Sequence, residues 1–367
     1  MVKKLDSKGV LLVLGAILGL GMATLAYFGN PGNMALCTAC FIRDIMGSLG
    51  FHQAPPVQYF RPEIVGIMGG AFLSALFTKR FEVTSSSNPG LRFLGGVILM
   101  VNALVFLGCT LRMLIRLSAG DLSAVFGLVG FVAGVYLGVL FLKRGFNLPK
   151  AAPTAPLNGS ILPLIMVLLF ILFLVAPQFF HFSEKGPGSM HANIWLSLVV
   201  GALFGVIAHR TRLCFSGATR NILLMKDFKL AMPIFGMFVV LLIYNLVSGD
   251  FHLASFGPIA HAQNLWNVLS MFAVGLAGVL FSGCPVRQVV LAGSGSGDGL
   301  MTTIGMMIGA ALAHNLGLAS QAASLKTATE AASPGGPALA GKVFVLVSIL
   351  LLVGLGYYFS GRKNNVA

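Results

Sequence analysis

Gly108-Cys109-Thr110-Leu111-Arg112 and Gly283-Cys284-Pro285-Val286-Arg287 share the pattern Gly-Cys-x-x-Arg, 175 positions apart. A second match, Cys40-Phe41 with Cys214-Phe215, recurs at an offset of 174. Two independent matches at nearly one offset point to an internal duplication. The chain then divides into residues 1–160, a first repeat with its linker, and 161–367, a second repeat, within one integrated domain.

Outward from these motifs the sequence is strongly apolar. Of 367 residues, 57% are hydrophobic and only 9% charged, and mean hydropathy is +0.91, which excludes a soluble domain. Crossing about 30 Å of hydrocarbon takes roughly 20 helical residues, and runs of that kind recur along the whole chain. Ten spans are expected, at 8–28, 62–78, 91–107, 121–142, 161–182, 191–208, 230–247, 265–282, 299–319 and 342–360. The first follows Lys3, Lys4 and Lys8 but lacks a small-residue cleavage site, so it reads as a retained span. Phe146 to Gly159, with three prolines, reads as the linker between halves, and Gln321 to Gly341 as an external loop.

The net charge of +14 does not indicate a nucleic-acid binder, because the charges sit in short loops between spans. Most of the 24 basic residues fall on one side if both termini are cytoplasmic, as the positive-inside rule expects. Of the seven exceptions, Arg43, Arg61, Arg112, Arg116, Lys185, Lys326 and Lys342, four flank cysteines.

With five spans per half, the second copy enters the membrane in the opposite sense, the inverted-repeat plan of many secondary transporters. Four semi-apolar segments, 34–47, 108–117, 213–225 and 284–292, are too short to cross and are bounded by Gly or Pro, so they read as re-entrant half-helices. Irregular backbone at membrane depth must line protein or a water-filled cavity. The expected fold is therefore an all-α integral membrane protein of about ten transmembrane helices, four cysteine-bearing half-helices and two inverted repeats.

All five cysteines, Cys37, Cys40, Cys109, Cys214 and Cys284, lie in the four short segments. A single buried cysteine is often only a small apolar residue, but this clustering marks a path for a soft solute. Each segment also carries a cation: Arg43 after Cys40, Arg112 after Cys109, Arg220 after Cys214 and Arg287 after Cys284. A thiol beside a fixed guanidinium suits a polarizable anion. The plainer alternative is that the arginines pair with Asp44, Asp121 and Asp298. His261 and His314, near span ends, are candidates for proton relay. No motif for a catalytic residue, cofactor or metal centre is evident, and Gly293 to Asp298 lacks the lysine of a P-loop.

The chain resembles the YeeE/YedE sulfur-transport family, and within it the YedE-type selenium-transporter branch. The resemblance runs over residues 20–320. It is carried by Gly29-Asn30-Pro31, Cys37-x-x-Cys40-Phe41-x-Arg43-Asp44-Ile45, Val57-Gln58-Tyr59-x-Arg61-Pro62-Glu63 and Phe106-Leu107-Gly108-Cys109. Further matches are Gly186-Pro187-Gly188-Ser189, Gly283-Cys284-Pro285-x-Arg287-Gln288 and Ala313-His314-Asn315. It implies movement of a selenium or sulfur compound, such as thiosulfate, across a bacterial inner membrane, without enzymatic chemistry. By local motif the family's cysteines fall on Cys109, Cys284 and Cys40, and Cys37 and Cys214 are additional here. A solute passing between Cys109 and Cys284, with Cys40 and Cys214 at entry and exit, is the expectation. The partners expected are that solute, membrane lipid and a cytoplasmic sulfur- or selenium-handling protein. The competing reading is a membrane thiol-disulfide oxidoreductase using the external Cys37-x-x-Cys40 pair.

Overall fold

The computed structural model describes residues 7–79, 81–149, 151–324 and 332–360. Lys3, Lys4, Arg80, Lys150, Lys326, Arg362 and Lys363, which enter the charge-based orientation, and part of the expected external loop, lie outside them.

Among the described residues fourteen α-helices follow one another: α1 Lys8–Tyr27, α2 Thr38–Ser48, α3 Pro62–Phe77, α4 Pro89–Val105, α5 Thr110–Ser118, α6 Leu122–Lys143 and α7 Pro156–Val175. The second seven are α8 Ile194–Thr211, α9 Phe215–Met225, α10 Met232–Ser248, α11 Asn264–Leu280, α12 Pro285–Gly293, α13 Gly297–Asn315 and α14 Leu339–Phe359. Only isolated β-bridges, such as Thr84 with Ser296, occur among the described residues. The chain is an all-α integral membrane protein. Nine helical stretches among the described residues are long and apolar enough to cross a membrane, and in three of them a long helix runs into a short cysteine-bearing one.

Every expected span has its helix, and the four half-helices are α2, α5, α9 and α12. The tenth span, α13, falls outside those nine because Asp298, His314 and Asn315 at its ends dilute its apolarity, yet it packs along α4. The span expected at 161–182 lies earlier, at Pro156–Val175. Pro156 fits the first helical turn, where no backbone N–H is needed, and Pro177 stops continuation past Val175. The linker is correspondingly shorter.

Four pairs of long helices build the body: α1 with α10, α3 with α8, α4 with α13 and α6 with α11. Each pair crosses at reciprocal glycines. A Cβ on Gly96 of α4 would lie 2.1 Å from the Thr302 carbonyl oxygen, and one on Gly305 of α13 would lie 2.1 Å from that of Phe93. Gly70 and Gly205 make the same crossing between α3 and α8, and Gly134 and Gly275 between α6 and α11. Lipid supplies no hydrophobic drive for helix association, so backbone approach at small residues does the packing. Gly66, Gly70, Gly275 and Gly278 all pack closely, whereas a Cβ on Gly69 would meet nothing within 4 Å.

The half-helices start at sharp turns. Leu107 and Ser282, each just before a Gly-Cys pair, both adopt φ +63°, a left-handed conformation that a side chain rarely takes. That turn separates α4 from α5 and α11 from α12 and leaves Cys109 and Cys284 as the N-cap residues of the short helices.

Candidate functional site

Cys37, Cys109, Cys214 and Cys284 are the N-cap residues of α2, α5, α9 and α12 respectively. Their sulfurs therefore sit where unpaired backbone N–H groups and the positive end of the helix dipole converge. The Cys37 sulfur accepts from the Cys40 N–H at 3.5 Å and the Cys214 sulfur from the Gly217 N–H at 3.2 Å. By cap position the counterpart of Cys214 is Cys37, not Cys40 as the Cys-Phe match suggested. Cys40 lies one turn further along α2, where α9 has Gly217.

The five thiols form two groups. In the first, Cys37 Sγ lies 3.8 Å from Cys109 Sγ, and the Cys40 thiol points to the Leu107 carbonyl at 4.0 Å. All three are fully buried. In the second, the Cys214 and Cys284 side chains are neighbours, and the Cys214 sulfur also lies 3.9 Å from Ser216 Oγ. None of the five is in a disulfide.

The groups are far apart. The Phe281 ring, three residues before Cys284, packs on Gly95, and the Arg92 guanidinium donates to the Phe281 carbonyl at 2.9 Å. From Gly95 to the end of α4 at Val105, four residues before Cys109, the helix rises about 15 Å. Cys109 and Cys284 thus belong to opposite ends of α4, and each keeps company with the cysteine of its own half rather than with the other.

Cations stand beside both groups. Arg112 is fully buried with no carboxylate partner among the described residues. Its Nη1 donates to the Leu107 carbonyl and, at 3.6 Å, to Cys40 Sγ; its Nε donates to the Asn33 carbonyl at 3.2 Å and its Nη2 to the Ile259 carbonyl at 3.0 Å. Arg43, in contrast, is paired with Asp44 at 2.7 Å, the plainer alternative raised by the sequence, while Asp121 and Asp298 pair with Arg116 and Arg92 instead. Arg43 also lines a cavity of about 510 Å³ together with Leu107 and His314, whose ring lies 4.6 Å from that of His52, tilted by 31°.

At the other end a cavity of about 380 Å³ is lined by Arg212, Arg220, Arg287, Cys214 and Ser216, with no carboxylate. Arg220 reaches only Asn221 Oδ1, at 3.4 Å, and the buried Arg287 Nη1 has no hydrogen-bond partner. Three guanidinium groups and a thiol around one cavity have the chemistry to hold a small soft anion. Arg212, a loop charge that no sequence motif marks, joins them because its left-handed cap, φ +54°, closes α8 just before Cys214.

His261 is fully buried; its Nε2 lies 2.9 Å from the Val105 carbonyl, and burial pushes its pKa down to about 4. Burial also lowers His52. Several buried groups received no role from the sequence: Arg61, bound to Asp44 at 2.8 Å; Arg116, bound to Asp121 at 2.7 Å; and Glu63, which accepts from Asn30 Nδ2 at 2.8 Å. A charged residue flanking an apolar run was the available signal for all three.

Comparison with known proteins bears on the second half in particular. Residues 210–367, which contain Cys214, Cys284 and the Arg212–Arg220–Arg287 cavity, match a family model described as Sulphur transport. The chain is also similar to a thiosulfate transporter, TsuA, of Spirochaeta thermophila, with 35% identity over 105 residues. That alignment covers 28% of this chain and 31% of the relative.

Proposed function

We propose that the chain belongs to the sulfur-transport family that its second half matches, and that it carries a small anion of sulfur or selenium through the membrane between its two thiol groups. The observation that carries this reading is the grouping of all five cysteines at half-helix starts near opposite ends of α4, each group beside guanidinium. Arg212, Arg220 and Arg287 attract the anion at one end, and Arg43 and Arg112 at the other. Cys214 and Cys284, then Cys109 with Cys37 and Cys40, offer its terminal chalcogen weak S–H contacts, too weak to trap it. His261, neutral near pH 7, serves here as a donor to Val105 rather than as a proton relay.

The helix pairings support reading the halves as inverted copies. Exchanging α1 with α8 and α3 with α10 turns the α1–α10 pair into the α8–α3 pair, and exchanging α4 with α11 and α6 with α13 does the same for the remaining two. The first copy then closes with α7 and the second with α14. In a bacterial inner membrane with both termini cytoplasmic, the Arg212 cavity faces the cytoplasm, where a sulfur- or selenium-handling protein would receive the solute.

The oxidoreductase alternative fares worse, because thiol–disulfide exchange needs sulfur in contact with sulfur and the two thiol groups are about 15 Å apart in level along α4. The test is uptake of radiolabelled thiosulfate and selenite by proteoliposomes. Cysteine-dependent uptake of one label is expected, lost in both Cys109→Ala and Cys284→Ala at unchanged membrane abundance. Normal uptake in either variant would overturn the proposal.

A further inference from the structure

Arg112 and Arg287 occupy the same place in the repeated Gly-Cys-x-x-Arg motif, yet their surroundings differ. Arg112 is tied down by three separate segments: the 28–37 loop through the Asn33 carbonyl, the turn before Cys109 through Leu107, and the 249–263 loop through Ile259. Arg287 lines an open cavity, and its buried Nη1 has no partner. The cysteines follow suit. Cys214 lines that cavity, whereas the cavities of about 520 and 510 Å³ at the Arg112 end are lined by Asn33, Ile259 and Leu107 and by no cysteine. Ile259 lines both, so the two cavities stop at the segments that Arg112 holds together.

We propose that Arg112 is a latch, and that the structure is the state closed over Cys37, Cys40 and Cys109 and open to Cys214. In this state the Arg112 guanidinium satisfies itself on three carbonyls and the Cys40 sulfur. Opening exchanges those carbonyls for the anion or for water and frees the 249–263 loop. That loop is suited to moving, because Ile259 holds φ +53°, a conformation a β-branched residue keeps only where its surroundings impose it. Access at the two ends is then controlled by one repeated arginine, bound at one end while free at the other. The inference rests on the transport reading for its purpose but not for its test.

The test is time-resolved modification of the full-length protein in detergent by N-ethylmaleimide, with each cysteine followed by peptide mass spectrometry. Detergent exposes both faces, so membrane orientation does not enter. In the native protein Cys214 is expected to react at least about tenfold faster than Cys40, as local protection by closed structure predicts. Arg112→Lys keeps the charge that favours thiolate but cannot span three acceptors, and should raise the Cys40 rate about tenfold. Ile259→Pro cannot adopt positive φ, and so displaces the loop without touching Arg112; it should do the same, while Ile259→Gly stays closed. Cys284 should remain slow in all of them. A Cys40 rate unmoved in both opening variants, a native Cys40 already as fast as Cys214, or a rise shared equally by Cys284 would each overturn the latch. Labelling needs no transported solute, so its failure and a failure of uptake are separate results.

Discussion

Asp44 stands between two buried guanidinium groups, 2.7 Å from Arg43 and 2.8 Å from Arg61, with the pairs at most 4% exposed. Changing Asp44 to Asn keeps the shape and removes the only negative charge in the trio. Both cations then remain buried without a counter-charge, and breaking a buried pair in this way costs about 3–5 kcal/mol. Arg61 retains the Met190 and Pro187 carbonyls, at 3.0 and 2.8 Å, which holds the cost toward the lower end of that range. Arg43→Gln is the contrasting change. It leaves Asp44 paired with Arg61 and takes the trio from one net positive charge to none, so it should cost about 1 kcal/mol, in the range of an ordinary substitution. The assay is thermal unfolding of the purified variants in detergent, alongside abundance in the membrane. Asp44→Asn should melt several degrees below the native protein and well below Arg43→Gln. The reverse order, or an Asp44→Asn protein as stable as the native one, would refute the claim that Asp44 holds this corner together.

Two further predictions concern acid and packing. The pKa of His261, about 4 folded against about 6.5 unfolded, is depressed, so the unfolded chain binds the extra proton first as pH falls. Stability should be full above about pH 6.5 and decline toward pH 4, by up to about 3 kcal/mol, and His261→Gln should flatten that part of the melting profile, with the lowered His52 accounting for a remainder. Gly96→Val would push branched atoms into the Thr302 carbonyl, where even a Cβ sits at 2.1 Å; overpacking of this kind costs about 1–3 kcal/mol and should lower membrane abundance, which an unchanged yield would contradict.

The spans and the half-helices were legible in the sequence because hydrophobic length and Gly or Pro breaks are local signals. What was not legible depended on three-dimensional partners. Arg43 and Arg112 look alike in sequence, each three residues after a cysteine, yet one pairs with Asp44 and the other with backbone carbonyls and a thiol. Asp121 lies nine residues past Arg112, but it bonds Arg116 because that side chain shares the turn from α5 into α6. The Cys40–Cys214 match misled by three residues because residue identity, Cys then Phe, was used where helix position decides. Arg212 passed for an ordinary loop charge because nothing local places it beside Cys214 and Arg287 around one cavity.

The choice of cap residues argues that the thiols are there for more than folding. Five of the ten long helices start on residues that cap well, Ser7, Asn88, Asp121, Asn193 and Ser296, each accepting a backbone N–H, and the other five start at Arg61, Ala155, Ala231, Gln263 and Ala338 without a side-chain cap. At the four half-helices the chain uses cysteine every time, although a thiol is a weak acceptor and Ser or Asp would hold the turn better. Serine would also keep the burial, the size and the helix-end field. What it lacks is a polarizable sulfur. A residue that caps less well, at all four broken helices and beside its neighbour in each half, agrees with the proposed soft anion, whose negative charge a helix start already favours.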